Sequence, residues 1–443
     1  MEKTQEHASD QEAVQAVQQE RHEDVVTVVL TADNHLGYVA FGQPLRKREE
    51  RQQQLRHAFQ QATDFAIGHT VDLFIQAGDL FDTTTPDERD RSFVAARLAQ
   101  LKQANIHAFA LGGVHDTPSD AQSLVGNGTP APQISYARLG ALHYFSPPTQ
   151  QNDTQELEAA SLDLHGLAVS ICGLSALPGQ EGNPFKRLRV HTDDSKPADI
   201  SLLVLHAPIE GLTTGSSLLD TRALVRQNSI ARQATFPYIL AGYHHSYHRL
   251  RFGQSDVIVA GATQHIDFSN PDSTPGFVFL GLAADGIRWC EHIPVDSPTL
   301  RSLDIQTHEL WPDDTSEIQE IQTAPTEIIL ERLRPLCDAS TMVQLRLIGE
   351  LTRQQYHQLD LNRIRYYGEE HCFALAIDDS ALSLLHDAEI NSVETGERFS
   401  PREELVSLVD EWVAVASDEQ EKKSLIATRE ELLLAMDDTK GKR

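Results

Sequence analysis

Short apolar runs recur along the first two thirds of the chain and predict a series of buried strands. The first run, VVTVVL at 25–30, is continuous, which is typical of a strand covered on both faces. Apolar residues at helical spacing predict two helices, at 48–67 and 86–104. The further runs predict strands at 71–76, 106–111, 167–172, 200–205, 238–241, 257–259 and 277–282. This order of elements indicates an α/β or layered β fold.

Five of the predicted strands stop at a short polar cluster that contains Asp or His. The clusters are TADNH at 31–35, GDLFD at 78–82, GGVHD at 112–116, His206, and GYHH at 242–245. Strand ends in such folds bring side chains from distant parts of the chain to one rim. A single Asp or His at such a place is more often a capping or surface residue, but the joint occurrence is hard to obtain by chance.

The side chains in these clusters suit divalent cations. Hard cations that act on phosphates prefer carboxylate and imidazole ligands, and two of them about 3.5–4 Å apart bind both the attacking and the leaving oxygen of a displacement. A carboxylate shared by both ions would hold them together. The candidate ligands are Asp33, His35, Asp79, His206 and His245.

The pattern changes after Pro294, where the chain becomes more acidic and richer in predicted helix. Strands at 343–347 and 373–377 and a helix at about 350–359 predict a second, smaller α/β domain. Near the C terminus, helical spacing of apolar residues predicts two amphipathic helices, the first of which begins at Ser400. Such a pair either packs on its own protein or offers its apolar face to a partner.

These changes of pattern divide the chain into four parts. They are a polar N-terminal tail at 1–24, a main domain at 25–295, a smaller α/β domain at 296–395 and a C-terminal helical segment at 396–443. The formal net charge of −28, from 37 basic and 65 acidic residues, argues against a nucleic-acid partner, because Lys and Arg supply most phosphate affinity. The main domain is less acidic than the residues after it, and its local basic clusters suit either phosphate contacts or a solvated surface.

The composition also bears on the compartment. No apolar run approaches the roughly 20 residues needed to cross a bilayer, and the first 24 residues lack the basic-then-apolar order of a signal peptide. The four cysteines form no CxxC pair, which disfavours a disulfide scaffold and a cysteine zinc site. We therefore expect a cytoplasmic protein without a membrane partner.

Six stretches of the main domain together resemble the calcineurin-like metallophosphoesterases, and within them the SbcD-type nuclease subunits of DNA double-strand-break repair complexes. They read TADNHLGY, VDLFIQAGDLFD, FALGGVHDTP, LLVLHAPIEG, YILAGYHHSYH and VIVAGATQHIDFSN. The resemblance implies an α/β (α+β) fold, a two-sheet β sandwich flanked by helices, followed by a smaller α/β capping domain and C-terminal helices that bind an ATPase. It also implies a two-metal site at the strand ends, usually occupied by manganese, with magnesium as the alternative.

The resemblance implies a role for each candidate ligand. Asp33, His35 and His245 would hold the first metal, and Asp79 would bridge the two metals. His206 would bind the second metal.

Three further residues match family positions with roles beside the metals. His115 matches the histidine that assists catalysis next to the scissile phosphate, and Asp116 matches the acidic residue that orients it. Asp82 fits the carboxylate of GDxxD that would steer a neighbouring ligand histidine.

Two positions depart from the family pattern, and both concern the second metal. The family has GNHD, whose Asn is a ligand, where this chain has Val114; the family has GHxH where this chain has Tyr243. We expect weak or substrate-dependent binding of the second metal. The lost ligands could be replaced by Tyr243 as a phenolate ligand or by an inward turn of His244. In the purely structural interpretation, Val114 fills an apolar gap and Tyr243 packs or hydrogen-bonds near the site.

Two functions from different classes follow. In the first, the chain is a metal-dependent DNA phosphodiesterase, the nuclease subunit of an SbcCD-like complex; in the second, it is a catalytically impaired subunit that serves as a DNA-binding scaffold. A third, a phosphatase for small nucleotides or phosphoproteins, is disfavoured by the TADNHLG start and the long C-terminal extension. The partners implied by the resemblance are DNA, an SbcC-like coiled-coil ATPase and a second copy of the chain, joined through the helices at 48–67 and 86–104.

Overall fold

The structure is a computed structural model that describes most of the chain up to residue 385. The described residues are 24–39, 45–118, 130–147, 150–151, 154–176, 182–191, 197–212, 223–268, 270–311 and 324–385, with 422, 428 and 429 beyond them. The chain divides into two compact units, Met1–Leu385 and His386–Arg443. The predicted C-terminal helices lie outside the described residues.

The strands of the described part follow one another closely along the chain. In chain order they are β1 (Val26–Thr31), β2 (Leu73–Gln76), β3 (His107–Leu111), β4 (His143–Phe145), β5 (Gln150–Gln151), β6 (Thr154–Leu164), β7 (Leu167–Leu174), β8 (Leu188–His191), β9 (Ile200–His206), β10 (Tyr238–Gly242), β11 (His248–Phe252), β12 (Ser255–Val259), β13 (Gly276–Ala283), β14 (Gly286–Pro294), β15 (Thr299–Gln306), β16 (Thr341–Thr352) and β17 (Ala374–Leu385).

The helices are fewer, and two of them are long. They are α1 (Leu45–Gly68), α2 (Glu88–Gln103), α3 (Gln133–Arg138), α4 (Gln227–Arg232), α5 (Thr307–Leu310), α6 (Pro325–Leu333), α7 (Arg353–Gln358) and α8 (Leu361–His371), with 3₁₀ turns at Pro184–Arg187 and Arg334–Leu336. Asp87 caps α2 by accepting a hydrogen bond from the backbone N–H of Asp90, so the helix begins two residues after the predicted start. Within the described residues, no helix is both long and apolar enough to cross a membrane.

Two sheets form the main domain. The first has the order β14-β13-β1-β2-β3-β4, with β1 to β4 parallel. The second has the order β11-β12-β10-β9-β7-β6-β5, with β8 paired to β6. Its strands β7, β9, β10 and β12 run parallel to one another, whereas β11 is antiparallel to β12 and β6 is antiparallel to β7. The predicted fold class, a two-sheet sandwich flanked by helices, is confirmed.

Alternation along β1 shows how the layers are held together. Val28 and Leu30 point into the core between the two sheets, whereas Val29 points into a separate core against α1 and α2. Both faces of the strand are therefore buried, which explains its continuous apolar sequence. A third core covers the outer face of the second sheet.

The carboxyl ends of the parallel strands meet at one rim. The backbone N–H of Asp33 donates to the Gly78 carbonyl at 3.0 Å, and that of Ala77 donates to Thr31 at 2.8 Å. A Cβ on Gly242 would lie 2.2 Å from the Ala77 carbonyl oxygen, so glycine allows the two sheets to approach there. This rim carries the polar clusters that the sequence singles out.

The third sheet, β15-β16-β17, is parallel and has its own core, formed with α6 and α8. The helix predicted at about 350–359 is wrong in its start, because β16 continues to Thr352. Thr352 then caps α7 in a reciprocal capping box with Gln355. The domain boundary at 295 remains a prediction, since both sheets and this third sheet belong to one compact unit.

One cross-link differs from the sequence expectation. Cys337 and Cys372 form a disulfide, with their Cα atoms 4.9 Å apart. They lie 35 residues apart in sequence, and the fold joins the end of the 3₁₀ turn after α6 to the end of α8. Cys172 and Cys290 are free.

Candidate metal centre

All five predicted ligands lie together at the rim of the sandwich. The described residues contain three overlapping groups whose ligand atoms lie within 4.8 Å of one another. These groups are Asp33, His35 and His245; His35, Asp79 and His115; and Asp33, Asp79 and His206. The side chains come from loops of both sheets, so only the closed sandwich assembles them.

The backbone of the ligand loops is held in an unusual conformation. Asp33, His35, Asp79 and Tyr243 have φ angles of 47°, 45°, 52° and 83°. Positive φ is uncommon for residues other than glycine, and each such residue costs on the order of 1–3 kcal/mol and persists only where the surroundings impose it. Here the loops impose it on each other, since the N–H of His35 donates to the Asp79 carbonyl oxygen at 3.0 Å.

Each of the three ligand histidines has its Nδ1 against a hydrogen-bond acceptor. The contacts are His35 to Asp82 Oδ1 at 3.0 Å, His206 to the Ala77 carbonyl oxygen at 2.8 Å and His245 to Asp267 Oδ2 at 2.6 Å. An acceptor at Nδ1 fixes the proton there and leaves the Nε2 lone pair for a metal. Nε2 of His35 is buried without a hydrogen-bond partner among the described residues, so its lone pair is available to a cation.

Asp79 lies between the two halves of the site. Its Oδ2 is 3.2 Å from Nε2 of His206 and 3.9 Å from Nε2 of His35, and its Oδ1 accepts the backbone N–H of His115 at 2.8 Å. A carboxylate with these neighbours has the position that the predicted bridging role requires.

The charges of the site favour a cation. Burial works against ionisation of Asp79, but His206, His35 and His115 outweigh it and hold the pKa of Asp79 well below its usual range. Burial likewise opposes the charge on His206, but Asp79 and Asp33 raise the pKa of His206 to about 9. Burial raises the pKa of Asp33. A divalent ion among these groups would replace the proton of His206 as the counter-charge.

His115 differs from the other histidines because its side chain is 41% exposed. Its Nδ1 lies 3.4 Å from Asp82 Oδ1, and its ring centroid lies 4.8 Å from that of His35. Asp82 therefore contacts both a ligand histidine and the exposed one. His115 sits at the mouth of the site, where a substrate would enter.

Asp116 has other contacts than the predicted one with the His115 ring. Its buried carboxylate accepts backbone N–H groups of Gly113 at 2.7 Å and Phe81 at 3.2 Å, and the side-chain amide of Gln133. Burial, reinforced by the charge of Asp79, raises the pKa of Asp116 to about 7. Within the described contacts, Asp116 joins two loops of the site, while Asp82 is the carboxylate beside His115.

Comparison with known proteins decides the family. The sequence profile described as calcineurin-like phosphoesterase matches residues 26–247, which is half of the chain. The chain belongs to the calcineurin-like phosphoesterase family.

Curated relatives of the chain include DNA double-strand break repair proteins Mre11. That of Thermoplasma acidophilum is 35% identical over 239 residues, covering 53% of this chain and 55% of the relative. That of Saccharolobus solfataricus is 33% identical over 277 residues, covering 61% and 62%. That of Methanosarcina mazei is 25% identical over 265 residues, covering 59% and 37%. The matches thus span from about a third to less than two thirds of these relatives.

A solved structure of a dimetal phosphatase from Danio rerio is also similar. It is 12% identical, with a TM-score of 0.36, and the match covers 62% of this chain and all of that one.

The two departures from the calcineurin-like phosphoesterase pattern are visible at the second half of the site. Val114 is 37% exposed, so it does not fill an apolar gap, and its side chain has no ligand atom. Tyr243 is buried with its ring centroid 5.7 Å from that of His206, and its backbone N–H donates to the carboxylate of Asp33 at 3.1 Å. Tyr243 thus packs beside the site, as the structural interpretation of this position expects, whereas Val114 does not fill a gap.

His244 is not placed as a substitute ligand. Its buried ring accepts the backbone N–H of Ile209 at Nε2, at 2.9 Å, so that nitrogen is occupied. It belongs to none of the three ligand groups found among the described residues. The second position therefore relies on Asp79 and His206, with Asp33 near them.

Sequence reasoning assigned no role to Asp267. This carboxylate lies 2.6 Å from Nδ1 of His245 and stands in the stretch VIVAGATQHIDFSN, which carries part of the resemblance. The signal in the sequence was its place after a predicted strand, but no spacing rule links it to His245, 22 residues earlier.

Proposed function

We propose that the chain is a metal-dependent DNA phosphodiesterase, the nuclease subunit of an SbcCD-like DNA repair or DNA-processing complex in the cytoplasm. The observation that carries the proposal is the convergence of Asp33, His35, Asp79, His206 and His245 beside the exposed His115. Family membership supports phosphoester hydrolysis, and the names of the Mre11 relatives support DNA as the substrate.

The metal of this proposal is manganese or magnesium. Asp33, His35 and His245 would hold the first ion with Asp79, and Asp79 with His206 would hold the second more weakly. A divalent ion there supplies a Lewis acid toward a phosphate oxygen and lowers the pKa of a water. Because Val114 and Tyr243 stand in place of two ligands of the second ion, we propose that a substrate phosphate completes the coordination of that ion.

The residues of the chain contribute orientation and proton transfer. Asp82 lies beside Nδ1 of His115 and would stabilise its imidazolium form, whose Nε2–H would donate its proton to the departing oxygen at the mouth of the site. The Asp116 contacts fix the loop on which His115 stands, because the Gly113 N–H is two residues before it. Positioning of this kind accounts for a large part of catalysis in phosphoryl transfer.

The partners and the domain roles belong to the same proposal. Residues 25–295 would be the catalytic domain, 296–395 the capping domain and 396–443 the helical segment that binds an SbcC-like coiled-coil ATPase. A second copy would join through α1 and α2. In such an assembly DNA is held jointly, so this acidic chain needs to supply only a local channel.

The decisive experiment is a nuclease assay with Mn²⁺ on single- and double-stranded DNA. We expect the wild type to cleave, and Asp79→Asn to lose at least about a hundredfold in rate because the shared carboxylate is lost. Asp72→Asn is the matched control, since this carboxylate lies at the other end of β2 and contacts Thr27 and His165. Equal activity of wild type and Asp79→Asn would reject the proposal.

A catalytically impaired DNA-binding scaffold is the second candidate, and the side chains at Val114 and Tyr243 favour it. The double variant Val114→Asn, Tyr243→His restores the family pattern. Activity that appears only in this variant would show that the natural chain is catalytically impaired and would support the scaffold function. Elemental analysis adds a second measurement, because a site with one strong position holds close to one metal per chain.

A further inference from the structure

Arg51 on α1 is completely buried, and its described hydrogen bonds go to neutral acceptors. Nη1 donates to Gln264 Oε1 at 3.2 Å and to Gln54 Oε1 at 3.3 Å, and Nη2 donates to the backbone carbonyl oxygen of His265. Burial lowers the pKa of Arg51 to about 10, which leaves it charged at neutral pH. A buried cation is costly when no carboxylate compensates it, so these contacts call for an explanation.

The contacted residues belong to a segment between β12 and β13 that we name the rim segment, residues 262–267. Its first residue donates its backbone N–H to the carbonyl oxygen of His245 at 2.9 Å, and Thr263 accepts the side-chain amide of Asn34 at 3.2 Å. Its last residue, Asp267, lies 2.6 Å from Nδ1 of His245. The rim segment thus lies directly behind the first-metal group.

Arg51 contacts the rim segment between these two anchors. Gln264 and His265 lie between Thr263 and Asp267, and Gln264 also donates its amide to the Asp296 carbonyl oxygen at 2.6 Å. The guanidinium therefore fixes the part of the segment that sets where Asp267 lies. A planar fork can reach two separated oxygens at once, which an ammonium group on a flexible stem does less well.

We propose that Arg51 is a positioning residue for the first metal group. It holds the rim segment so that Asp267 keeps Nδ1 of His245, and Nε2 of His245 is thereby aimed at Asp33 and His35. The inference rests on the proposed function in that it concerns the metal of the same site. It makes α1, a helix outside the ligand loops, part of the support of the metal centre.

The first test compares Arg51→Lys with Arg56→Lys. Arg56 is the matched control because it lies on the same helix, is 11% exposed and pairs with Asp90 at 2.6 Å, away from the rim segment. We expect both variants to lower the thermal midpoint, but only Arg51→Lys to weaken Mn²⁺ binding, by about tenfold in calorimetry. Addition of Arg51→Lys to Asp267→Asn should cause little further loss, because Arg51 acts through the carboxylate of Asp267.

The second test needs no metal. In EDTA, the proton on Nδ1 of His245 should give a protected NMR signal in the wild type and in Arg56→Lys, and should exchange faster in Arg51→Lys. A wild type that binds no Mn²⁺ would reject the proposed function, and this signal would still decide the role of Arg51. Should Arg51→Lys not fold, Gln264→Ala carries the same expectations. Unchanged Mn²⁺ affinity together with an unchanged His245 signal would overturn the inference.

Discussion

At the scale of single residues, Asp82 contacts two histidines of the site at once. Its Oδ1 lies 3.0 Å from Nδ1 of His35 and 3.4 Å from Nδ1 of His115. One oxygen atom therefore orients a ligand imidazole and the exposed imidazole at the mouth. Carboxylates in this position raise the basicity of the ligand as well as fixing its ring.

Replacement of this carboxylate should affect metal binding more than stability. We expect Asp82→Asn to weaken Mn²⁺ binding by about 10–100-fold, because the amide is a neutral and weaker acceptor for both rings. Calorimetric titration with Mn²⁺ measures the change. Asp87→Asn is the control, since Asp87 caps α2 and has no described contact with the site. Wild-type affinity in Asp82→Asn would show that the contact with His35 does not matter.

A buried histidine should make stability depend on pH. Burial, with the nearby Arg51, lowers the pKa of His265 to about 4, against 6.5 for the exposed side chain. The contribution is complete above pH 6.5 and is lost as pH falls toward 4, because the unfolded chain takes up a proton that the folded chain does not. In EDTA, the free energy of unfolding of the wild type should fall by up to about 3 kcal/mol between pH 6.5 and pH 4, and that of His265→Gln should fall by less. Equal acid sensitivity of the two proteins would contradict this.

At the scale of elements, the strands at the centre of each sheet were predictable because they are buried on both faces. β1, β9 and β10 are continuous apolar runs, and the structure places each within a residue or two of its predicted bounds. The strands β11 and β14 lie at sheet edges and alternate between exposed and half-buried residues, which leaves no such run. β11 and β14 form because they pair with a neighbouring strand, and their local sequence does not indicate a strand.

The candidate site shows the same limit. Ligands such as Asp33 and His206 follow apolar strands, so the parallel order of the strands predicts that they meet. Asp267 and Arg51 act through contacts with residues 22 and 213–214 positions away, and neither follows from a local pattern. The fold class, the meeting of the candidate ligands at one rim and the contact of Asp82 with a neighbouring histidine could therefore be predicted, while Asp267 and Arg51 could not.

The loops at the rim leave no room for added atoms. A Cβ on Gly113 would lie 2.1 Å from Asp79 Oδ1 and 2.2 Å from its backbone nitrogen. We expect Gly113→Ala to destabilise the fold by about 1–3 kcal/mol and to reduce Mn²⁺ affinity, because Asp79 must move. Chemical denaturation and calorimetry measure the two effects.

Gly68 offers a matched comparison for this substitution. A Cβ there would meet no atom within 4 Å, so Gly68→Ala should leave the free energy of unfolding within about 1 kcal/mol of the wild type. Similar losses of unfolding free energy in Gly113→Ala and Gly68→Ala would show that crowding beside Asp79 is not the cause of the effect at Gly113.

At the scale of the whole molecule, the net charge of −28 limits how the chain meets DNA. The isolated chain should bind duplex DNA weakly, with a Kd of about 10–100 µM at physiological salt, since few phosphates can be neutralised. Fluorescence anisotropy with Asp79→Asn, which avoids cleavage, measures it. Nanomolar binding by the isolated chain would contradict the view that a partner provides most of the affinity of the complex for DNA.

The overlap of the three ligand groups has a consequence for loading. Asp33, His35 and Asp79 each belong to two of them, so two cations bound as we propose would share ligands and the negative charge of the Asp33 and Asp79 carboxylates. The first ion to bind would use ligands and charge that the second ion also needs. Binding of the two ions should therefore be anticooperative. A titration curve should then show one sharp equivalence point followed by a long shallow tail.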